Sequence, residues 1–138
     1  MDMYIEQVSL IVDDYDDAIR FFVDALGFEL VEDSPAVASR DGHPKRWVVV
    51  RPPGASTALL LAKADGEREV RARGDQFAGR VGLFLRVGDF QAAYDRLRDA
   101  GVRFVGQPRD EPYGWVAVFL DVAGNRWDLL GPRPAGDR

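Results

Sequence analysis

At 138 residues, with 46% hydrophobic and 30% charged side chains, the chain has the make-up of one globular domain or of two small fused modules. A net charge of −5 offers no basic stripe for nucleic acid, and the lack of cysteine excludes disulfides, thiolate catalysis and cysteine-bound metals. The opening MDMYIEQVSL has neither the basic nor the apolar stretch of a signal peptide, and no apolar run approaches the roughly 20 residues of a membrane span, so a cytoplasmic protein is expected.

Alternation over residues 4–12 predicts a strand. Asp13 or Asp14 then caps a helix, because a short carboxylate accepts from the free N–H groups of the first turn. Its apolar positions, Ala18, Phe21, Phe22, Ala25 and Leu26, recur at helical spacing, and Gly27 ends it. Residues 28–32 read as a second strand and the proline- and polar-rich 33–45 as a loop. Third and fourth strands are expected over 47–51 and 57–62, with a turn at 52–56. The mixed-charge stretch 63–79 reads as a connector with room for a short helix. The order then repeats: strand 81–87, helix 90–100, strand 102–105, loop 106–113, strand 115–120, turn 121–125 and strand 126–130.

The repetition is visible in the letters. VSLIVDDYDDAIRFFVDALGFELVE begins at Val8, and GLFLRVGDFQAAYDRLRDAGVRFVG begins at Gly82. In each, an apolar run ends on Val, an acidic start signal and a helix follow, and Gly closes the helix. The copies differ by one residue, since Val12 to Gly27 spans 15 positions and Val87 to Gly101 spans 14. The reading is an α+β fold of two βαβββ modules, at 4–62 and 80–132, joined by the connector 63–79 and followed by the tail 133–138. The sheet faces turned away from the helices are expected to enclose a cavity.

These phrases, with the closing VAVFLDVAGNRWDLLGP, resemble the vicinal oxygen chelate superfamily, which includes glyoxalase I, extradiol dioxygenases, fosfomycin-resistance enzymes and bleomycin-resistance proteins. The resemblance covers nearly the whole chain, and RWVVV at 46–50 is similar to a group of small glyoxalase-like proteins. It implies a cytoplasmic homodimer that binds a small molecule. It also implies, in metal-dependent members, four inward-facing ligands from the first and last strands of each half. Here the first falls on Gln7 and the last on Asp128. The third falls on Gly82, which has no side chain, and the fourth near residues 58–61, a stretch without acid, His, Asn or Gln. The sole histidine, His43, lies in a polar loop. The expectation is a degenerate metal site with no cofactor; a metal, if bound, would rest on Gln7 and Asp128.

The other residues carry simpler readings. Asp13, Asp14, Asp16 and Asp17 lack the glycine turn and terminal Glu of a calcium loop and suit a helix N-terminus. No glycine-rich phosphate loop and no GxSxG element is present. Trp115, Ala117 and Phe119 alternate onto one face, whereas Trp127 and Asp128 point oppositely. The expected ligand-binding residues are Gln7, Arg46, Trp47, Trp115, Phe119 and Asp128. Asp128 is the catalytic candidate. The expected function is metal-free binding of a small planar or apolar molecule. The alternatives are a metal-dependent lyase, isomerase or dioxygenase of the glyoxalase type, and a metal-independent enzyme with Asp128 as general base.

Overall fold

The computed structural model describes residues 2–36 and 44–133 and writes one topology twice. The chain divides between Gln76 and Phe77 into two units. That division falls inside the stretch expected to be a connector.

In the first unit, β1 (Gln7–Val12) leads to a helix that begins as α1 (Tyr15–Ile19) and continues as a π-helical segment, Arg20–Ala25. Asp14 is its cap and accepts from the Asp17 N–H at 2.9 Å. The widened turn is marked by the Leu26 N–H donating to the Phe21 carbonyl, five residues back. It accommodates the residue by which this copy exceeds the other, as single-residue insertions in helices do. Gly27, with φ of 81°, then turns the chain into β2 (Glu29–Ala36). β3 (Lys45–Arg51), β4 (Ala58–Lys63) and α2 (Glu67–Ala72) complete the unit. Its sheet runs β1-β4-β3-β2, with β1 and β4 parallel and the other neighbours antiparallel. Leu10, Val12, Val48, Val50 and Leu61 share one face with Leu59, and Ala18 and Phe22 close the core over them.

The second unit repeats this pattern. β5 (Val81–Arg86) is followed by α3 (Phe90–Asp99), capped by Asp89 through the Ala92 N–H at 3.0 Å and ended at Gly101, with φ of 88°. β6 (Phe104–Glu111), β7 (Gly114–Leu120) and β8 (Arg126–Gly131) follow, and the sheet order is β5-β8-β7-β6, again with the first pair parallel. The fold is therefore α+β, made of two βαβββ units. Among the described residues, no helix is long and apolar enough to cross a membrane.

Strands β2 and β6 run well past their expected ends, into stretches whose composition reads as loop. Each carries a proline, Pro35 and Pro108, and each has a register shift. Both are outer strands, where a missing N–H costs no ladder bond. β1 is the opposite outer strand of its sheet. There the Gln76 side chain accepts from the Ile11 N–H at 2.9 Å and donates to the Ser9 carbonyl at 2.7 Å. His43 lies outside the described residues.

The β7–β8 turn is organised by Asp121, buried at 6% exposure. Its Oδ1 accepts from the backbone N–H groups of Ala123, Gly124 and Asn125 at 2.9–3.0 Å. Its Oδ2 accepts from Asn125 Nδ2 at 3.1 Å and Trp127 Nε1 at 2.9 Å. The FLDVAGNRW stretch is thus a turn whose single carboxylate gathers three backbone N–H groups and two side-chain donors.

Candidate functional site

Pairing register decides which side chains share a wall. In the second unit Phe119 stands opposite Trp127, and Val118 opposite Asp128. Trp115, Ala117 and Phe119 therefore share one face, as their alternation predicts, but Asp128 is on the other. Their face is the helix side. Phe90 of α3 stacks on Trp115 with centroids 6.2 Å apart, Tyr94 meets Phe104 at 4.5 Å, and Phe119 stacks on Trp127 at 5.5 Å. Trp115 and Phe119 thus belong to an aromatic core with Trp127, not to a wall with Asp128.

The opposite face carries Asp128 between Val118 on β7 and Phe84 on β5. Asp128 is only 8% exposed, and its Oδ1 has no hydrogen-bond partner among the described residues. Phe84 beside it is 64% exposed. A buried carboxylate oxygen left unpaired is costly, and that cost is recovered when a donor arrives.

Burial holds the Asp128 carboxyl above its ordinary value of 3.8, against the opposing pull of the Arg109 charge. The native state then binds this proton more tightly than the unfolded chain. The resulting stability is fully present below 3.8 and is lost as pH rises through the raised value. Asp128→Asn is accordingly expected to melt at a higher temperature than the parent at pH 7, with the gap closing as pH falls through the raised value and gone below 3.8. Thermal melts across that range check this; a gap independent of pH would disconnect it from the carboxyl's ionisation.

In the first unit the expected residues also separate. Arg46 and Trp47 are adjacent on β3 and so face opposite ways. Arg46 lies on the helix side, its guanidinium 5.2 Å from the centre of the Tyr15 ring. Its Nε and Nη2 donate to the Asp33 carboxylate at 3.1 and 2.7 Å, and Nη1 donates to Asp16 at 2.9 Å. These bonds hold the Asp33 carboxyl below its ordinary value and raise Arg46 further. Arg46 is a strut between helix and sheet, with each of its three guanidinium nitrogens bonded to a carboxylate. Trp47 shares a face with Gln7, but the two stand at opposite ends of the sheet, since Gln7 pairs with Ala58 at the start of β4. Trp47 is 40% exposed and lines a hollow of about 330 Å³ together with Tyr15, Leu60 and Lys63.

The four positions at which the resemblance places metal ligands can now be tested on side chains. Phe84 pairs with Asp128, and Ser9, its counterpart in the first copy, pairs with Leu60. Leu60 therefore stands where the first sheet would supply its carboxylate. At the remaining position, a Cβ on Gly82 would lie 2.2 Å from the Phe77 ring. The space of a ligating side chain is filled by an aromatic ring. Gln7 and Asp128 keep donor atoms, whereas Leu60 and Gly82 have none. Among the described residues no group of three or more His, Cys, Asp or Glu is placed to hold an ion. The residues present do not fit the metal.

Comparison with known proteins agrees with the architecture. The model of the Glyoxalase/Bleomycin resistance protein/Dioxygenase superfamily matches residues 4–129. An uncharacterized protein of Shewanella frigidimarina (strain NCIMB 400) is 47% identical over 131 residues, 94% of either chain. Among solved structures, UcmS2 is 33% identical with a TM-score of 0.79, over 94% of this chain and 98% of its own. TnmS3, described as an antibiotic binding protein from Streptomyces sp. CB03234, is 32% identical with a TM-score of 0.75, over 95% of this chain and 97% of its own.

Proposed function

Because this chain belongs to the Glyoxalase/Bleomycin resistance protein/Dioxygenase superfamily, we propose that it binds a small planar molecule bearing a cationic or hydrogen-bond-donating group, without a metal. The observation that carries this reading is the unpaired, buried Oδ1 of Asp128 beside the exposed ring of Phe84. The ring offers a flat apolar surface, and the carboxylate supplies the one directional contact that fixes a ligand's orientation. The mismatch at Leu60 and Gly82 supports binding by the protein's own side chains rather than through an ion. Likeness to an antibiotic-binding protein supports sequestration over turnover. The exposed apolar side chains Met3, Tyr4 and Ile5 support a homodimer as the working form.

The test is a fluorescence titration with 9-aminoacridine, a flat monocation, before and after dialysis against a chelator. The expected result is saturable binding that the chelator leaves unchanged, recovery of the probe intact, and about tenfold weaker binding by Asp128→Asn. Equal affinity of parent and variant removes Asp128 from the site. Loss of binding with the chelator, restored by a divalent ion, overturns the metal-free reading, and chemical change in the probe turns the protein into an enzyme. Light scattering on the same samples reads the dimer.

A further inference from the structure

The hollow in the first unit exists because two neighbouring strands part. β3 and β4 pair only over Val48–Val50 and Leu59–Leu61. Beyond that point the start of β3 and the end of β4 no longer bond to each other. The Arg46 N–H donates instead to the Tyr15 hydroxyl at 3.2 Å. The opening left behind has a volume of about 330 Å³. Small-molecule sites span roughly 300–1,000 Å³, so a ligand of one ring with a short polar head suits it.

The charges around this opening are not equivalent. Arg46 is committed to Asp33 and Asp16, and Lys45 pairs with Asp65 at 3.3 Å. Two further charged side chains line the same hollow, Lys63 from the end of β4 and Glu69 from α2. Neither makes an ion pair among the described residues, with each other or with a third group. Glu69 has one engagement, its Oε1 accepting from the Asp65 N–H at 3.0 Å. Apolar wall comes from the half-exposed Trp47 indole, Leu60 and Ala62 among others.

A flat aromatic surface, a lysine and a carboxylate that each lack an ion-pair partner among the described residues, all in a single hollow, are complementary to an aromatic zwitterion. We propose that this hollow is a second binding site, for an aromatic α-amino acid. The ligand's ring lies against Trp47, its carboxylate meets Lys63 and its ammonium meets Glu69. The site stands on residues of the first unit alone and does not depend on Asp128.

The test is calorimetric titration with L-phenylalanine, 3-phenylpropionate and 2-phenylethylamine. The second lacks the ammonium and the third lacks the carboxylate. The parent protein is expected to bind L-phenylalanine about tenfold tighter than either analogue, each missing contact being a charge-assisted hydrogen bond. Lys63→Gln should bring L-phenylalanine down to the level of 2-phenylethylamine. Glu69→Gln, which keeps an Oε1 for the Asp65 N–H, should bring it down to the level of 3-phenylpropionate. Circular dichroism confirms that both variants are folded. No heat with any of the three, equal affinity for all three, or an order unmoved by either variant overturns the proposal. Because 9-aminoacridine reports on Asp128 and phenylalanine on Lys63 and Glu69, the two sites stand or fall separately.

Discussion

Replacing Asp121 by alanine is expected to cost about 3–5 kcal/mol of stability, among the largest effects of any single substitution in the second unit. The reason is not one lost bond but the number of donors left behind. Trp127 Nε1 and Asn125 Nδ2 are buried and lose their carboxylate together, and three backbone N–H groups of the turn lose theirs. Water can reach the exposed Val122 and Gly124, but Asn125 is only 3% exposed. Urea unfolding followed by tryptophan fluorescence reads the change as a lower midpoint at constant slope. A loss under 1 kcal/mol would mean that the hairpin is held by its ladder alone.

Trp127→Ala is expected to cost on the order of 3–5 kcal/mol for a different reason, the void left by a large ring. Trp127 is 3% exposed and stacks on Phe119, itself fully buried. It stands in the aromatic series that connects the sheet to α3 through Phe104 and Tyr94. Trp127→Phe keeps the stacking and loses the bond to Asp121, so it should cost about 1–2 kcal/mol. Because Asp121 and Trp127 share a hydrogen bond, the double variant should be less damaging than the sum of the two singles. Strict additivity would show that the bond contributes nothing of its own.

Much of the fold was legible because the two copies check each other. Caps at Asp14 and Asp89 and helix-ending glycines at Gly27 and Gly101 are local chemistry, and each occurs at the expected place. The one-residue excess of the first copy was visible as a count, but not as a π-helical turn. Apolar spacing read with an ordinary helical period places Phe21 and Ala25 inside, whereas both are half-buried and Tyr15, Ala18, Phe22 and Leu26 form the buried edge. Strands β2 and β6 outrun what composition predicts because proline signals a loop unless the strand is an outer one, and that is a property of the sheet.

The site was less legible because faces depend on register between strands, which alternation within a strand does not give. Alternation alone puts Trp115 and Phe119 on one face, and the ladder keeps them there. Their separation from Asp128 follows only once Phe119 is opposite Trp127, and that pairing is set by the length of the Asp121 turn. In the first unit Trp47 reads equally well as wall or core until the parting of β3 from β4 is seen. Gly82 could be recognised as an absent ligand. That Phe77 fills its place depends on where the chain enters the second unit, which no local signal carries.

The hydrogen-bonded amide of Gln76 bears on how copies of this molecule meet. An outer strand with open backbone groups invites a stranger to zip onto it, and successive additions of that kind build insoluble fibres. On β1 the central donor and acceptor are already taken by a side chain of the same molecule, so an intruding strand must first evict it. One glutamine thereby acts as a short, non-extendable substitute for a neighbouring strand and ends the sheet where it stands.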